Sequence, residues 1–209
     1  MLFRSADGGK SQQAMSSLTR IARAASGEPA VADTADFYRA LGGRLVNSQP
    51  LAADALAELA RRPAATVLAG GTDVMVETNM GHRRFSDVVA VHRVAELRSW
   101  THDAVRGTLT LGAGVTWAEV EASPIAAWVP ALAQAARTVG SPQIRHAGTV
   151  GGNLGTCSPA GDGLPPLAAL DAVVHLRSLA GSRALPFAEY MTGDRKSTRL
   201  NSSHSQQSR

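Results

Sequence analysis

Cysteine is nearly missing from this chain. Cys157 stands alone among 209 residues, which excludes an internal disulfide framework and any four-cysteine zinc or iron–sulfur site within it. Long apolar runs are missing too: the longest are short and broken by Gly, Pro or charge, so no membrane span is expected. The first ten residues hold no apolar stretch of the kind a secretory signal needs, and a cytoplasmic location is the expectation. His82, His92, His102 and His175 share no metal-ligand spacing, so no metal site is expected. The formal net charge of +4 has little reach. Arg195, Lys196, Arg199 and Arg209 stand in the last fifteen residues with no acid among them, and elsewhere 17 basic residues face 17 acidic ones. A body without net charge carries no electrostatic footprint for nucleic acid.

The common phosphate motifs are also absent. Gly9-Lys10-Ser11 has the end of a P-loop, but Arg4 stands where its first glycine belongs. Gly112 and Gly114 begin a dinucleotide fingerprint that meets Trp117 at its third glycine position. Neither a kinase set nor a hydrolase Gly-x-Ser-x-Gly is present.

What is present is a pair of glycine-rich stretches. The longer, Gln143 to Asp162, holds five glycines and no lysine. Each is small enough to let backbone approach a ligand or to turn with positive φ, and in such a turn at Thr149-Val150-Gly151-Gly152-Asn153 successive N–H groups can point inward as an anion-binding nest. The shorter, Ala69-Gly70-Gly71-Thr72-Asp73, follows an apolar β run at Thr66–Ala69 and precedes a helix with Val74, Met75, Val76 and Met80 as apolar positions and Asp73 or Thr72 as cap. Strand, Gly-Gly turn and helix N-terminus together set backbone donors and a positive dipole end at a phosphate. Either stretch alone reads equally as a surface turn; as a pair they could clasp the two phosphates of a dinucleotide from opposite sides.

The rest of the chain alternates strands and helices, which argues an α/β or α+β fold. Helices are expected over Ser16–Ala25, Pro50–Arg62 (Leu51, Ala55, Leu56 and Leu59 inward), Thr116–Ala122, Pro130–Val139 (Leu132, Ala135, Ala136 and Val139 inward) and Pro165–Leu170, with a short amphipathic segment over Phe187–Met191. Strands are expected over Asp87–Val91, Thr108–Leu111 and Ala172–Leu176, the last turning through Ala180–Arg183 into Ala184–Pro186. Residues 1–43 read as weakly structured, 44–194 as the folded domain divided near 105/106, and 195–209 as an unpatterned polar tail. That tail and Leu2-Phe3-Arg4-Ser5 resemble translated adapter sequence, so the native chain is expected to have been cut near Asp194.

Three motifs together carry a resemblance: Val67-Leu68-Ala69-Gly70-Gly71-Thr72-Asp73-Val74, then Leu111-Gly112-Ala113-Gly114-Val115-Thr116, then Gln143-Ile144-Arg145 through Thr149-Val150-Gly151-Gly152-Asn153 to Ser158-Pro159-Ala160-Gly161-Asp162. Over about Leu45 to Asp194 the chain resembles the FAD-binding subunit of molybdenum hydroxylases, the relatives of xanthine dehydrogenase, carbon monoxide dehydrogenase and aldehyde oxidoreductase. The resemblance implies a two-subdomain α+β fold of the PCMH type with FAD in the cleft between subdomains. It implies that Val67, Leu68, Ala69, Gly70, Gly71, Thr72, Asp73 and Val74, with Thr149, Val150, Gly151, Gly152 and Asn153, hold the FAD pyrophosphate and ribityl chain. It also implies that Asp162 contacts FAD and that Val139 falls where some members set an aromatic beside the flavin. The implied role is electron transfer: a partner subunit with a molybdenum–pterin cofactor hydroxylates the substrate, another with [2Fe–2S] clusters relays electrons to FAD, and NAD⁺ or another acceptor receives them. No catalytic side chain is implied in this chain, because the flavin does the redox chemistry.

Two further readings compete with this one. A non-enzymatic nucleotide- or phosphate-binding module would hold a plain phosphate on the same turns. A covalent flavin oxidase is disfavoured, since the first Gly-Gly loop carries no His or Cys. Cys157 reads as a small packing residue, His146 as a surface group, Asp73 as either a cap or a flavin neighbour, Arg83-Arg84 as a solvated face, and Trp100, Trp117 and Trp128 as core or interface anchors.

Overall fold

The computed structural model describes residues 44–47, 52–81, 85–193 and 196–197. The helix expected over Ser16–Ala25, the start of the Pro50 helix, the His82-Arg83-Arg84 group and most of the polar tail lie outside the described residues.

A three-stranded parallel sheet opens the fold. Strands β1 (Arg44–Asn47), β2 (Thr66–Leu68) and β3 (Asp87–Ala90) lie in the order β1-β3-β2, with Thr66 beside Val88 and Leu68 beside Ala90. Parallel neighbours need crossovers, and helices α1 (Ala52–Arg61) and α2 (Thr72–Asn79) supply them. They cover opposite faces. Val88 and Ala90 pack with Leu68, Phe85 and Met75 of α2, whereas Val89 and Val91 pack with Val94 and Ala55 of α1. Residues that alternate along β3 therefore feed two cores, and the central strand is apolar on both sides because neither side meets water. Arg62 at the end of α1 pairs with Glu58 and lies 3.8 Å from Asp87, fastening the helix to β3.

The sheet hands over to a 3₁₀ turn (Ala95–Arg98) and an antiparallel hairpin of β4 (Trp100–Asp103) and β5 (Thr108–Leu111). Asp103 accepts from the N–H groups of Val105 and Arg106, both at 3.0 Å, and Gly107 turns the chain with φ 62°. The hairpin rests on a third core made by α3 (Trp117–Ala122), α4 (Ile125–Trp128), α5 (Pro130–Thr138), α7 (Val150–Thr156) and α8 (Leu164–Ala169). Its centre is Trp117, Val115, Val120, Ile125, Leu132, Ala136 and Val150. Of the residues expected inward on α5, Leu132 and Ala136 are buried and Val139 packs against the cluster, but Ala133 takes the buried place expected for Ala135. Helix α6 (Pro142–Ala147) leads into α7.

A second hairpin, β6 (Val173–Ser178) with β7 (Gly181–Pro186), is followed by α9 (Phe187–Tyr190) and by β8 (Met191–Gly193) paired with β9 (Lys196–Ser197). Lys196 and Ser197 thus take part in strand pairing, although they lie in the stretch expected to be an unpatterned tail. Tyr190 ties α9 to α7 by donating its hydroxyl to Leu154 O at 3.1 Å. The architecture is α+β, and among the described residues no helix is long and apolar enough to cross a membrane.

Candidate functional site

The two glycine-rich stretches, some eighty residues apart in sequence, meet. Gly70 is buried between them: a Cβ built on it would lie 1.7 Å from Ala147 O and 2.4 Å from the carbonyl carbon. Only glycine lets the β2–α2 turn approach the α6–α7 junction so closely. A second contact joins the first turn of α2 to the last residue of α7, where Thr156 Oγ1 donates to Asp73 Oδ2.

The shorter stretch builds the expected strand–turn–helix, with one correction. Neither Thr72 nor Asp73 caps α2; both lie inside its first turn, and Gly71 occupies the cap position at φ 73°, ψ 5° with no side-chain hydrogen bond to the helix. Glycine adopts that left-handed conformation without a Cβ penalty. A glycine cap has no side chain to offer, so the helix start stays open. Among the described residues the N–H groups of Gly70, Gly71, Thr72, Asp73 and Val74 meet no protein acceptor. The side chains of Leu68 and Val74 turn into the sheet core with Met75, Ala69 packs on the opposite core, and Val67 is exposed at the sheet edge. Of the apolar positions named for this helix, Val76 and Met80 are exposed.

The longer stretch departs further from expectation. Gly151 and Gly152 do not turn with positive φ; they form the first turn of α7, and the described glycines with positive φ are Gly71, Gly81, Gly107, Gly140 and Gly181. Thr149 is the reason. In an extended cap conformation (φ −119°, ψ 155°) its hydroxyl accepts from Gly152 N at 2.9 Å. The neighbouring donors are also used: Val150 N reaches Val115 O at 2.9 Å, Gly151 N reaches Ala113 O at 2.9 Å, and Asn153 N reaches Thr149 O at 3.0 Å. With four consecutive amides engaged by protein, the expected nest does not form. Gly151 is instead a packing glycine, since a Cβ there would lie 2.4 Å from Ala113 Cβ.

The other side of α7 carries no side chain at Gly152 and Gly155. A Cβ on Gly152 would meet only Thr149 Oγ1, at 2.9 Å, and one on Gly155 would meet nothing within 4 Å. Asn153 turns inward beneath the 161–163 loop, where a Cβ on Gly161 would lie 3.0 Å from its Oδ1; that oxygen is buried without a hydrogen-bond partner. Asp162 is exposed, its Oδ1 3.1 Å from Thr138 Oγ1. Cys157 ends α7 in a left-handed conformation (φ 55°), 1% exposed, with Sγ 3.1 Å from Met191 Sδ. His146 is exposed at the end of α6. Trp117 is core, while Trp128 is at the surface with its ring 4.0 Å from that of His102.

The loop between β5 and α3 supports the longer stretch, with Trp117 N donating to Gly148 O at 3.1 Å. Thr116 and Glu119 form a reciprocal capping box: Glu119 N donates to Thr116 Oγ1 at 3.2 Å and Thr116 N donates to Glu119 Oε2 at 2.8 Å. Burial works against the Glu119 charge, but the Thr116 N–H, the Arg98 guanidinium at 3.0 Å and the Thr116 hydroxyl outweigh it and hold its pKa below the ordinary value. His92 is lowered as well, first by burial and then by Arg93 and Arg98. Three contributors escape sequence reasoning. Thr156 and Ala147 lie within the Gln143–Asp162 stretch and Ala113 within the Gly112-Ala113-Gly114 run, but nothing local sets them apart from their neighbours. Among the described residues no cluster of His, Cys, Asp and Glu is placed to hold a metal.

Comparison with known proteins gives a consistent result. The profile of the family described as "FAD binding domain in molybdopterin dehydrogenase" matches residues 44–204. The nicotinate dehydrogenase FAD-subunit of Eubacterium barkeri is 39% identical over 129 residues, 61% of this chain and 43% of that protein. The putative xanthine dehydrogenase FAD-binding subunit of Escherichia coli strain K12 is 37% identical over 145 residues, 69% of this chain and 49% of that protein. In structure, carbon monoxide dehydrogenase from Hydrogenophaga pseudoflava superposes with a TM-score of 0.68 at 25% identity, covering 74% of this chain and 53% of that one. The chain thus spans about half the length of the curated relatives it matches.

Proposed function

The chain belongs to the family of FAD-binding domains of molybdopterin dehydrogenases, and from that premise we propose that it is the flavin-carrying part of a multi-subunit molybdenum hydroxylase of the cytoplasm. One partner subunit carries the molybdenum–pterin cofactor and the hydroxylation site, and another carries [2Fe–2S] clusters. Bound to this chain, FAD supplies the electron-transfer chemistry that links those clusters to NAD⁺ or another acceptor. The relatives named for nicotinate and for xanthine match the chain about equally, so the proposal stops at hydroxylation of a small substrate by the partner.

The observation that carries the reading is the meeting of the two glycine stretches. A helix start with five open amides is brought against α7, whose Gly152 and Gly155 carry no side chain, with the buried, unpartnered Asn153 Oδ1 on the same helix. Open amides at a helix N-terminus suit a diphosphate, and an unpartnered amide oxygen suits a hydroxyl donor such as a ribityl chain. The residues fit FAD on both counts. In this proposal the backbone of Val67–Val74, centred on Gly70 to Val74, receives the phosphates. Thr149, Val150, Gly151, Gly152 and Asn153 line the opposite wall through the glycine face and the Asn153 side chain, rather than through their amides. Asp162 stands beyond Asn153 as a further polar contact, and Val139 as an apolar one. None of these residues acts as acid, base or nucleophile; they bind, orient and exclude water.

Titration of the purified chain with FAD, followed by flavin fluorescence, tests this. Saturable binding is expected, with Gly152→Val and Gly155→Val both weakening it at least tenfold, ATP competing poorly and inorganic phosphate hardly at all. Equal competition by ATP or phosphate would favour the non-enzymatic phosphate-binding module.

A further inference from the structure

Asp73 is a carboxylate in the first turn of a helix whose amides are open. Such an acid is drawn toward the positive end of its own helix, and a short side chain there readily bonds to nearby backbone N–H groups. It does not do so here. Its carboxylate instead accepts from Thr156 Oγ1, at the last residue of α7, through Oδ2, and among the described residues the five amides from Gly70 to Val74 keep no protein acceptor. We propose that Thr156 is a positioning residue: its hydroxyl holds the Asp73 carboxylate off the first turn of α2 and so keeps those donors open to an anionic ligand. The proposal rests on the FAD reading for the identity of that anion, a diphosphate, but not for the position of the carboxylate.

The physics favours a device of this kind. Released, the carboxylate would satisfy the open amides itself and set a negative charge where a diphosphate must sit, so the ligand would have to displace it and face like-charge repulsion. A neutral donor on the opposite wall binds the carboxylate at the level of that wall and cancels no charge that the ligand needs. The contact spans the two walls at the far end of α7, while the close approach of Gly70 to Ala147 holds them together before its start.

Two measurements test it. In the ligand-free chain, amide hydrogen exchange at Gly71 to Val74 is expected to slow at least fivefold in Thr156→Ala, because the released carboxylate caps those amides, and to stay at the wild-type rate in Thr156→Ser, which keeps the hydroxyl. Unchanged exchange in Thr156→Ala overturns the proposal whether or not the chain binds FAD. In FAD titrations, Thr156→Ala is expected to weaken binding about tenfold, the worth of one hydrogen bond, with Thr156→Ser near wild type. In an Asp73→Ala background the same Thr156→Ala change is expected to cost nothing further. An equal loss in that background would show Thr156 acting on the ligand directly and would also overturn the proposal. Absence of FAD binding by wild type, together with slowed exchange in Thr156→Ala, would overturn the FAD reading and leave the positioning role standing.

Discussion

Gly70 and Gly155 show how differently two glycines of one motif set are used. At Gly70 a single methyl would overlap a backbone carbonyl at 1.7 Å, and backbone cannot swing aside as a side chain can. Gly70→Ala is expected to lower stability by about 1–3 kcal/mol, as overpacking does, and to push the two stretches apart, which denaturant titration and loss of FAD affinity would both register. At Gly155 a methyl meets open space within a helix. Gly155→Ala is expected to raise the stability of the ligand-free chain by about 0.5–1 kcal/mol, read as a higher denaturation midpoint. A fall there would mean that this face of α7 is packed in solution. Both residues stand in glycine-rich sequence that marks a site, but which glycine is a close approach and which a bare wall depends on atoms contributed by Ala147 from elsewhere in the chain.

The element that braces the longer stretch is the capped start of α3, where Trp117 N donates to Gly148 O. Thr116→Ala removes the hydroxyl that accepts from Glu119 N and donates to Glu119 Oε2, leaves the backbone N–H bond to Glu119 Oε2 in place, and is expected to cost about 1 kcal/mol, within the range for caps. Acid sensitivity should follow from the same neighbourhood in two separate windows. His92 has a lowered pKa in the fold, so as pH falls below its ordinary 6.5 the unfolded chain takes up a proton that the folded chain refuses, and stability drops. Glu119 also has a lowered pKa, so its contribution is present above the ordinary 4.5 and is lost as pH falls below that value. Stability measured against pH is expected to lose the upper step in His92→Gln and the lower step in Glu119→Gln. Arg98 borders both groups, and Arg98→Ala is expected to shrink both steps. The Thr116 cap was legible from a Thr before an amphipathic run. The cap of α2 was not, because Asp73 and Thr72 are good capping types and only the left-handed Gly71 shows that the helix begins without them.

Over the whole molecule, α7 joins the parts: Thr156 reaches α2, Val150 and Gly151 reach the β5–α3 loop, Leu154 receives Tyr190, and Cys157 closes the helix in the interior. Labelling of the Cys157 thiol is therefore expected to require opening of the fold, and saturating FAD should slow it in proportion to ligand-linked stabilisation; fast labelling of the native chain would contradict the burial of α7. The composition, the alternation of strands and helices and the three motifs sufficed by themselves for the α+β class, for most element positions and for the FAD-binding family, because periodicity and turn chemistry are local and the motif order is written along the chain. Only the tertiary structure decided what the second Gly-Gly pair is. Glycine permits turn and helix alike, and the choice fell to Thr149 and Ala113, which engage its amides from two places in the sequence, with Val115 engaging the amide of Val150 just before it. The same holds for the pairing of Asp73 with Thr156, since no local pattern couples a helix start to a helix end until packing brings the two walls together.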